Sequence, residues 1–164
     1  MKISTRRDID APIEAVFAAV SDFEGFEKQA LRRGAEVQRE GEAGAAGAGT
    51  RWKIRAPFRG RPRDIEAAVE RYEPPEMLVI STRTAGLEGV VEAELVALSA
   101  SRTRLRFAVD LRPRSIRGRL LVQSLKLARG NVTARIEAQL QQFARRIEDG
   151  IEDGSGPGAA RGPR

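Results

Sequence analysis

The chain has 164 residues, 41% hydrophobic and 32% charged, which suits one domain with one core and leaves little for a second. It has no cysteine and no histidine, which excludes disulfides, thiolate metal sites, cysteine nucleophiles, and every mechanism or zinc site that needs an imidazole. The net charge of +6 is uneven: Leu111 to Ile136 holds no acid but carries Arg112, Arg114, Arg117, Arg119, Lys126, Arg129 and Arg135.

Residues 2–10 set Ile3, Thr5, Arg7 and Ile9 against Lys2, Ser4, Arg6 and Asp8 and read as an opening strand. Pro12 suits a helix start, and Ile13, Val16, Phe17 and Val20 follow at helical spacing. Ser21-Asp22-Phe23-Glu24 matches a capping box, so a second short helix is expected there, closed by Gly34. Residues 37–40 make a short strand candidate. The Gly/Ala stretch 41–49 reads as a mobile loop. It is not a phosphate loop, because no Gly-Lys-Ser/Thr ends it and a strand follows.

From residue 50 the period is two. Trp52, Ile54, Ala56 and Phe58 share one face, and Ile65, Ala67 and Val69 continue it on the return strand after a turn at Pro57 and Gly60. Pro74-Pro75 turns the chain into the β-branched run 78–84. Residues 87–98 and 104–112 add two more strands, the last with Leu105, Phe107, Val109 and Leu111 on one side. Consecutive strands with short connections describe an antiparallel meander with one wet face.

After Pro113 the period becomes helical from residue 115 to 150. Leu121, Leu125, Ala128, Val132, Ile136, Leu140, Phe143 and Ile147 form a single stripe. One continuous helix of this length would span about 50 Å, with Gly130 as its weak point. The sheet and this helix each have an apolar face that needs a cover. The simplest closure lays the helix across the concave face of a bent sheet. The expected architecture is α+β: six or seven antiparallel strands curved around a long C-terminal helix, with two short helices after the first strand. Residues 1–151 are expected to form this one domain and residues 152–164 a disordered tail.

The segments Asp10-Ala11-Pro12-Ile13-Glu14-Ala15-Val16-Phe17 with Val20-Ser21-Asp22, Gly47-Ala48-Gly49-Thr50-Arg51-Trp52, and Tyr72-Glu73-Pro74-Pro75-Glu76-Met77-Leu78, followed by the long helix, appear in that order. In this order the chain resembles the START-like, or SRPBCC, superfamily, which includes the birch pollen allergen and polyketide cyclase/dehydrase-like proteins. The resemblance covers residues 1 to 150 or so. It implies the helix-grip fold and an internal cavity that takes lipids, hormones, quinones, polyketides or aromatic intermediates. Some members catalyse cyclisation or dehydration. No catalytic motif carries over to this sequence.

The expected cavity lining is Trp52, Ile54, Phe58, Val69, Ile80, Phe107 and Val109 from the sheet, with Leu121, Leu125 and Val132 from the helix. Small inward residues, including Ala56, Ala67, Ala93, Ala97 and Ala128, leave room between them. The mouth is expected near residues 57–60, 85–89 and 115–116. Arg83, in an apolar strand, is expected to point outward. No catalytic, metal or cofactor residue is assigned. The expected partner is a hydrophobic or amphipathic small molecule, and the expected role is binding or carriage, not catalysis. A cyclase- or dehydratase-like lyase or isomerase is the alternative, and a basic surface module for an anionic membrane or nucleic acid is another. Residues 111–136 contain no aromatic, which weighs against base stacking and so against nucleic acid. The N-terminus has no apolar leader, so a cytoplasmic location is expected.

Overall fold

The alternating N-terminal residues form β1 (Lys2–Ile9), with Ile3 and Ile9 buried. The computed structural model describes residues 1–40, 47–58 and 60–152. Pro12 caps α1 (Ile13–Val20), which buries Val16 and Phe17. The start of α2 (Phe23–Arg32) differs from the expected capping box. Its N-cap is Asp22, whose carboxylate accepts from the Gly25 amide at 3.2 Å. Ser21 instead donates its hydroxyl hydrogen to the Phe17 carbonyl at 2.7 Å, because α1 runs up to it and offers a carbonyl four residues back. Gly34 follows α2 with φ of +85°, a conformation that favours glycine at a helix end.

Six strands follow: β2 (Glu36–Glu40), β3 (Arg51–Phe58), β4 (Arg61–Glu73), β5 (Met77–Thr84), β6 (Leu87–Ser99) and β7 (Arg102–Pro113). Each pairs antiparallel with the next, and β1 closes the order β1-β7-β6-β5-β4-β3-β2. Thr103, fully buried, donates its hydroxyl to the Ala11 carbonyl at 2.8 Å and ties β7 to the turn between β1 and α1.

One bulge changes which residues face inward. Val69 pairs with Ile80, but Arg71 already pairs with Val79 and Tyr72 with Leu78, so Glu70 is the extra residue. The shift moves Tyr72 to the same face as Val69. Its ring meets Phe17 edge-on at 5.5 Å and lies 6.5 Å from Phe23. Period-two reading without a bulge places Arg71 on that face instead.

The helical region after Pro113 is two helices, α3 (Ile116–Leu127) and α4 (Arg129–Glu152), in place of the single rod expected from residue 115. Ala128 separates them with φ −96° and ψ 17°. The two segments bury different partners. Gly118 and Val122 are the buried residues of α3, whereas Ala144 and Ile147 carry α4 into the main core. The break falls two residues before Gly130, a weak helix former. The core itself joins Ile9, Phe17, Trp52, Val69, Leu95 and Leu105 to Ala144 and Ile147. Among the described residues no helix is long and apolar enough to cross a membrane. Most of the Gly/Ala stretch, residues 41–46, and the tail from residue 153 lie outside the described residues.

Candidate ligand cavity

Antiparallel register lines up inward residues in rows across the middle of the sheet. Leu78, Ala93 and Phe107 form one row, and Ile80, Val91 and Val109 the next. In the first row Ala93 stands between two large side chains and supplies only a methyl group. The floor of the sheet is therefore dented at β6. Above it, α4 is anchored at its C-terminal half, through Ala144 and Ile147, and its first half is mostly exposed.

The space between is a cavity of about 450 Å³, lined by Leu78, Ile80, Val91, Ala93, Leu105 and Phe107 from the sheet and by Ile136, Leu140 and Phe143 from α4. Val20 closes one side, and Phe26 and Gln29 of α2 reach its edge. This volume falls in the usual range for a small-molecule site. Its lining is nearly all hydrocarbon. Arg135, Gln139 and Arg146 complete the lining, and all three are exposed. Spaced by four and seven residues, they sit within about 40° of one another around α4, at 3.6 residues per turn. They make a polar lip beside the apolar strip Ile136-Leu140-Phe143. Neither arginine has an ion-pair partner among the described residues.

Among the described residues the two arginines are the titratable side chains of the lining, and no acid, lysine or tyrosine reaches it. Carboxylates with displaced pKa values lie elsewhere and hold the frame. Hydrogen bonding to Arg104 holds Asp8 below its ordinary value. The Arg114 hydrogen bond does the same for Glu88. At Glu27, burial pushes the pKa up, but hydrogen bonds from Trp52 Nε1 at 2.8 Å and Arg39 Nε at 2.6 Å outweigh it, and the net direction is down. Wider concavities on the outer face of the sheet, lined by Lys53, Glu66, Arg83 and Glu88, are charged and solvated surface. Arg83 is exposed there, 3.6 Å from Glu88. Among the described residues no cluster of acids is arranged to hold a metal ion.

Of the residues expected to line a cavity, Ile80 and Phe107 meet in this one. Val109 is partly buried in the row beside Ile80 and Val91 but outside the lining. Trp52, 7% exposed, and Val69 belong to the packed core, where Phe23 meets the Trp52 ring edge-on at 5.1 Å. Ile54 packs at the margin of that core, and Phe58 is half-exposed at the end of β3. Leu121 and Leu125 are partly buried on α3, and Val132 near the start of α4; none reaches the cavity. The expected mouth loops do not border the cavity either. The lip comes instead from α2 and α4, where the spacing of Arg135, Gln139 and Arg146 was the available signal.

A seven-stranded antiparallel sheet curved against a long C-terminal helix, with two short helices after the first strand, is the helix-grip fold. The chain belongs to the family described as polyketide cyclase / dehydrase and lipid transport, whose model matches residues 1–148. Among solved structures it is similar to the Zhui aromatase/cyclase from Streptomyces sp. R1128, with a TM-score of 0.68 and 14% identity over 95% of this chain and 98% of that one. Norcoclaurine synthase from Thalictrum flavum gives a TM-score of 0.62 and 10% identity over 90% and 86%. Ara h 8.0201 gives 0.60 and 13% over 93% and 98%. At such identities the likeness is one of fold. No curated protein matches the chain in sequence.

Proposed function

We propose that this protein binds and carries a hydrophobic or amphipathic small molecule, of lipid, quinone or polyketide-like character, in the cavity between the central strands and α4. The observation that carries this reading is the lining: a hydrocarbon hollow of about 450 Å³ whose charged groups are confined to one lip. An apolar body in the hollow leaves its polar end beside Arg135, Gln139 and Arg146. Guanidinium groups suit a carboxylate or other anionic end. The family description, which names both cyclase/dehydrase chemistry and lipid transport, is consistent with an apolar guest.

A cyclase- or dehydratase-like lyase or isomerase on this fold needs a group that gives and takes a proton at the reacting carbon. Arginine stays protonated at working pH and does not serve. Binding without chemistry is therefore the preferred reading, with residues 1–151 as the working unit and the cytoplasm as its location.

Solvent extraction of the purified chain followed by mass spectrometry tests it. A compound with an apolar body, recovered in stoichiometric amount and lost from a variant with a filled cavity, is the expected result. Empty protein that also fails to take up any of a panel of fatty acids, quinones and polycyclic phenols would overturn it.

A further inference from the structure

Helix α3 is apolar on two opposite sides, and the fold uses only one. Its inner side places Gly118 and Val122, with Leu121 and Leu125, in buried or partly buried positions. On its outer side Ile116 is 77% exposed, Leu120 65% and Leu127 92%. Steps of four and seven residues bring these three within about 40° of one another around the helix. They form one stripe, with Gln123 and Ser124 beside it. Isolated exposed leucines are ordinary on protein surfaces, but an aligned set on one helix face marks a contact surface.

Charge identifies what that surface meets. On the same helical wheel Arg119 and Lys126 flank the stripe on one side and Arg117 on the other. Nearby Arg112 and Arg114 are engaged by Asp110 and Glu88. Arg117, Arg119 and Lys126 have no ion pair among the described residues. The whole run from Leu111 to Ile136 lacks an acid that would neutralise them. An apolar stripe bordered by cations on both sides fits a bilayer with anionic headgroups: the stripe enters the acyl boundary and the cations stay at phosphate level. A second copy of this chain brings like charges together along both flanks, which opposes pairing. Nucleic acid is the poorer fit, because α3 offers no aromatic ring for stacking.

We infer that α3 docks this protein on an anionic membrane surface through Ile116, Leu120 and Leu127, with Arg117, Arg119 and Lys126 as its headgroup contacts. The inference stands on the outer face of α3 and does not depend on what the cavity holds.

The test is co-sedimentation of the full chain with phosphatidylcholine vesicles and with vesicles containing phosphatidylglycerol, at low and high salt. Wild type is expected to bind the anionic vesicles at least about tenfold better than the neutral ones, and to lose that preference at high salt. The Ile116→Ser/Leu120→Ser/Leu127→Ser variant should lose about tenfold or more in binding to anionic vesicles. The Arg117→Glu/Arg119→Glu/Lys126→Glu variant should lose the preference for negative charge. Leu127→Ser alone, at the most exposed position, tests the stripe with least risk to folding, and circular dichroism checks all three variants. Equal, weak binding to both vesicle types overturns the inference. So does vesicle binding that the serine variants leave unchanged, retention of DNA or RNA in place of vesicles, or a wild-type dimer that the serine variants abolish while vesicles are ignored.

Discussion

Gly118, in the first turn of α3, lies directly against the Gly86 carbonyl at the turn between β5 and β6, so that helix and hairpin meet backbone to backbone. A Cβ on Gly118 overlaps that carbonyl oxygen, and one on Gly86 overlaps the Ser115 hydroxyl that caps α3. Gly86 also needs glycine for its φ of +74°. The Gly86 carbonyl accepts from the Arg114 amide at 2.8 Å as well, so this one turn positions the whole start of α3.

Gly118→Ala is therefore expected to destabilise the protein, although alanine is the better helix former by about 1 kcal/mol. Overpacking against backbone outweighs that gain, for a net loss of about 1–3 kcal/mol. Gly130→Ala is the control: it too lies in a helix, no atom of the described residues stands near its missing Cβ, and it should be neutral or stabilising. Urea unfolding of both variants decides the matter. A Gly118→Ala protein as stable as Gly130→Ala contradicts the close approach.

Glu27 holds α2 onto the sheet by accepting from Trp52 and Arg39 through one oxygen, Oε1. Glu27→Ala leaves the indole N–H of a buried tryptophan without its acceptor, and a loss of about 1–3 kcal/mol follows. Glu27→Gln keeps an oxygen for Trp52 and removes only the charge attraction to Arg39, so it should cost less. Thermal unfolding of the pair, monitored at Trp52, gives the ranking. If the glutamine and alanine variants fall equally, the indole hydrogen bond is not what matters.

Glu27 also sets a direction for pH dependence, together with Asp8 and Glu88. All three have folded-state pKa values below their ordinary ones. A carboxyl lowered on folding stabilises the native state above its unfolded pKa, near about 4, and that contribution fades as pH falls through the lower folded value. Stability from these groups is thus full at neutral pH and declines on the acid side. In Glu27→Gln the acid limb of a stability-against-pH curve should be shallower than in wild type. Wild-type and Glu27→Gln curves that run parallel down the acid limb, with no convergence as pH falls, would show that Glu27 carries no such linkage.

How far the sequence revealed the molecule depended on the kind of signal. Strands such as β3 and β7 were legible because alternation is a local property of the chain, visible at Trp52-Ile54-Ala56 and Leu105-Phe107-Val109. The bulge at Glu70 was not legible, since it depends on what lies opposite in β5, and it alone brings Tyr72 to Phe17. The break at Ala128 was hidden for a similar reason. The apolar spacing runs on without interruption from Leu125 to Val132, although α3 and α4 part at Ala128 and bury different partners. For the cavity, face could be read but depth could not. Trp52 and Ile80 share the inward pattern, yet one packs against Phe23 of α2 in the core and the other lines the hollow with Ile136 and Leu140 of α4.

Filling the hollow over β6 should close the site without unfolding the protein. Val91 lines the cavity and is only partly buried, so the extra volume of a phenylalanine at that position enters open space. Val91→Phe is expected to fold with near-wild-type stability and to lose affinity for apolar guests, by about tenfold or more if the ring occupies the ligand's place. Leu105, 2% exposed, is the contrast: Leu105→Ala enlarges the hollow but removes core packing, at about 2–5 kcal/mol. Titration of a fluorescent fatty acid against each variant, beside a melt of each, separates occupancy from stability. Unchanged affinity in Val91→Phe would move the binding site away from this cavity.

The lip of α4 should decide which end of an amphipathic guest is recognised. Arg135 and Arg146 lie on one edge of the helix with Gln139 between them, and among the described residues nothing acidic lines the cavity beside them. Replacing both by glutamine keeps their reach and polarity but removes two charges. A guest ending in a carboxylate should then bind more weakly, each lost charge-assisted hydrogen bond being worth about 1.5–3 kcal/mol at most and less at this exposed edge. The corresponding alcohol should bind the double variant and the wild type alike. The diagnostic quantity is the ratio of the two affinities, which cancels any general change in the cavity. A ratio that stays constant means the polar end of the guest does not reach the lip, and the guest is then held by the hydrocarbon lining of β5, β6, β7 and α4 alone.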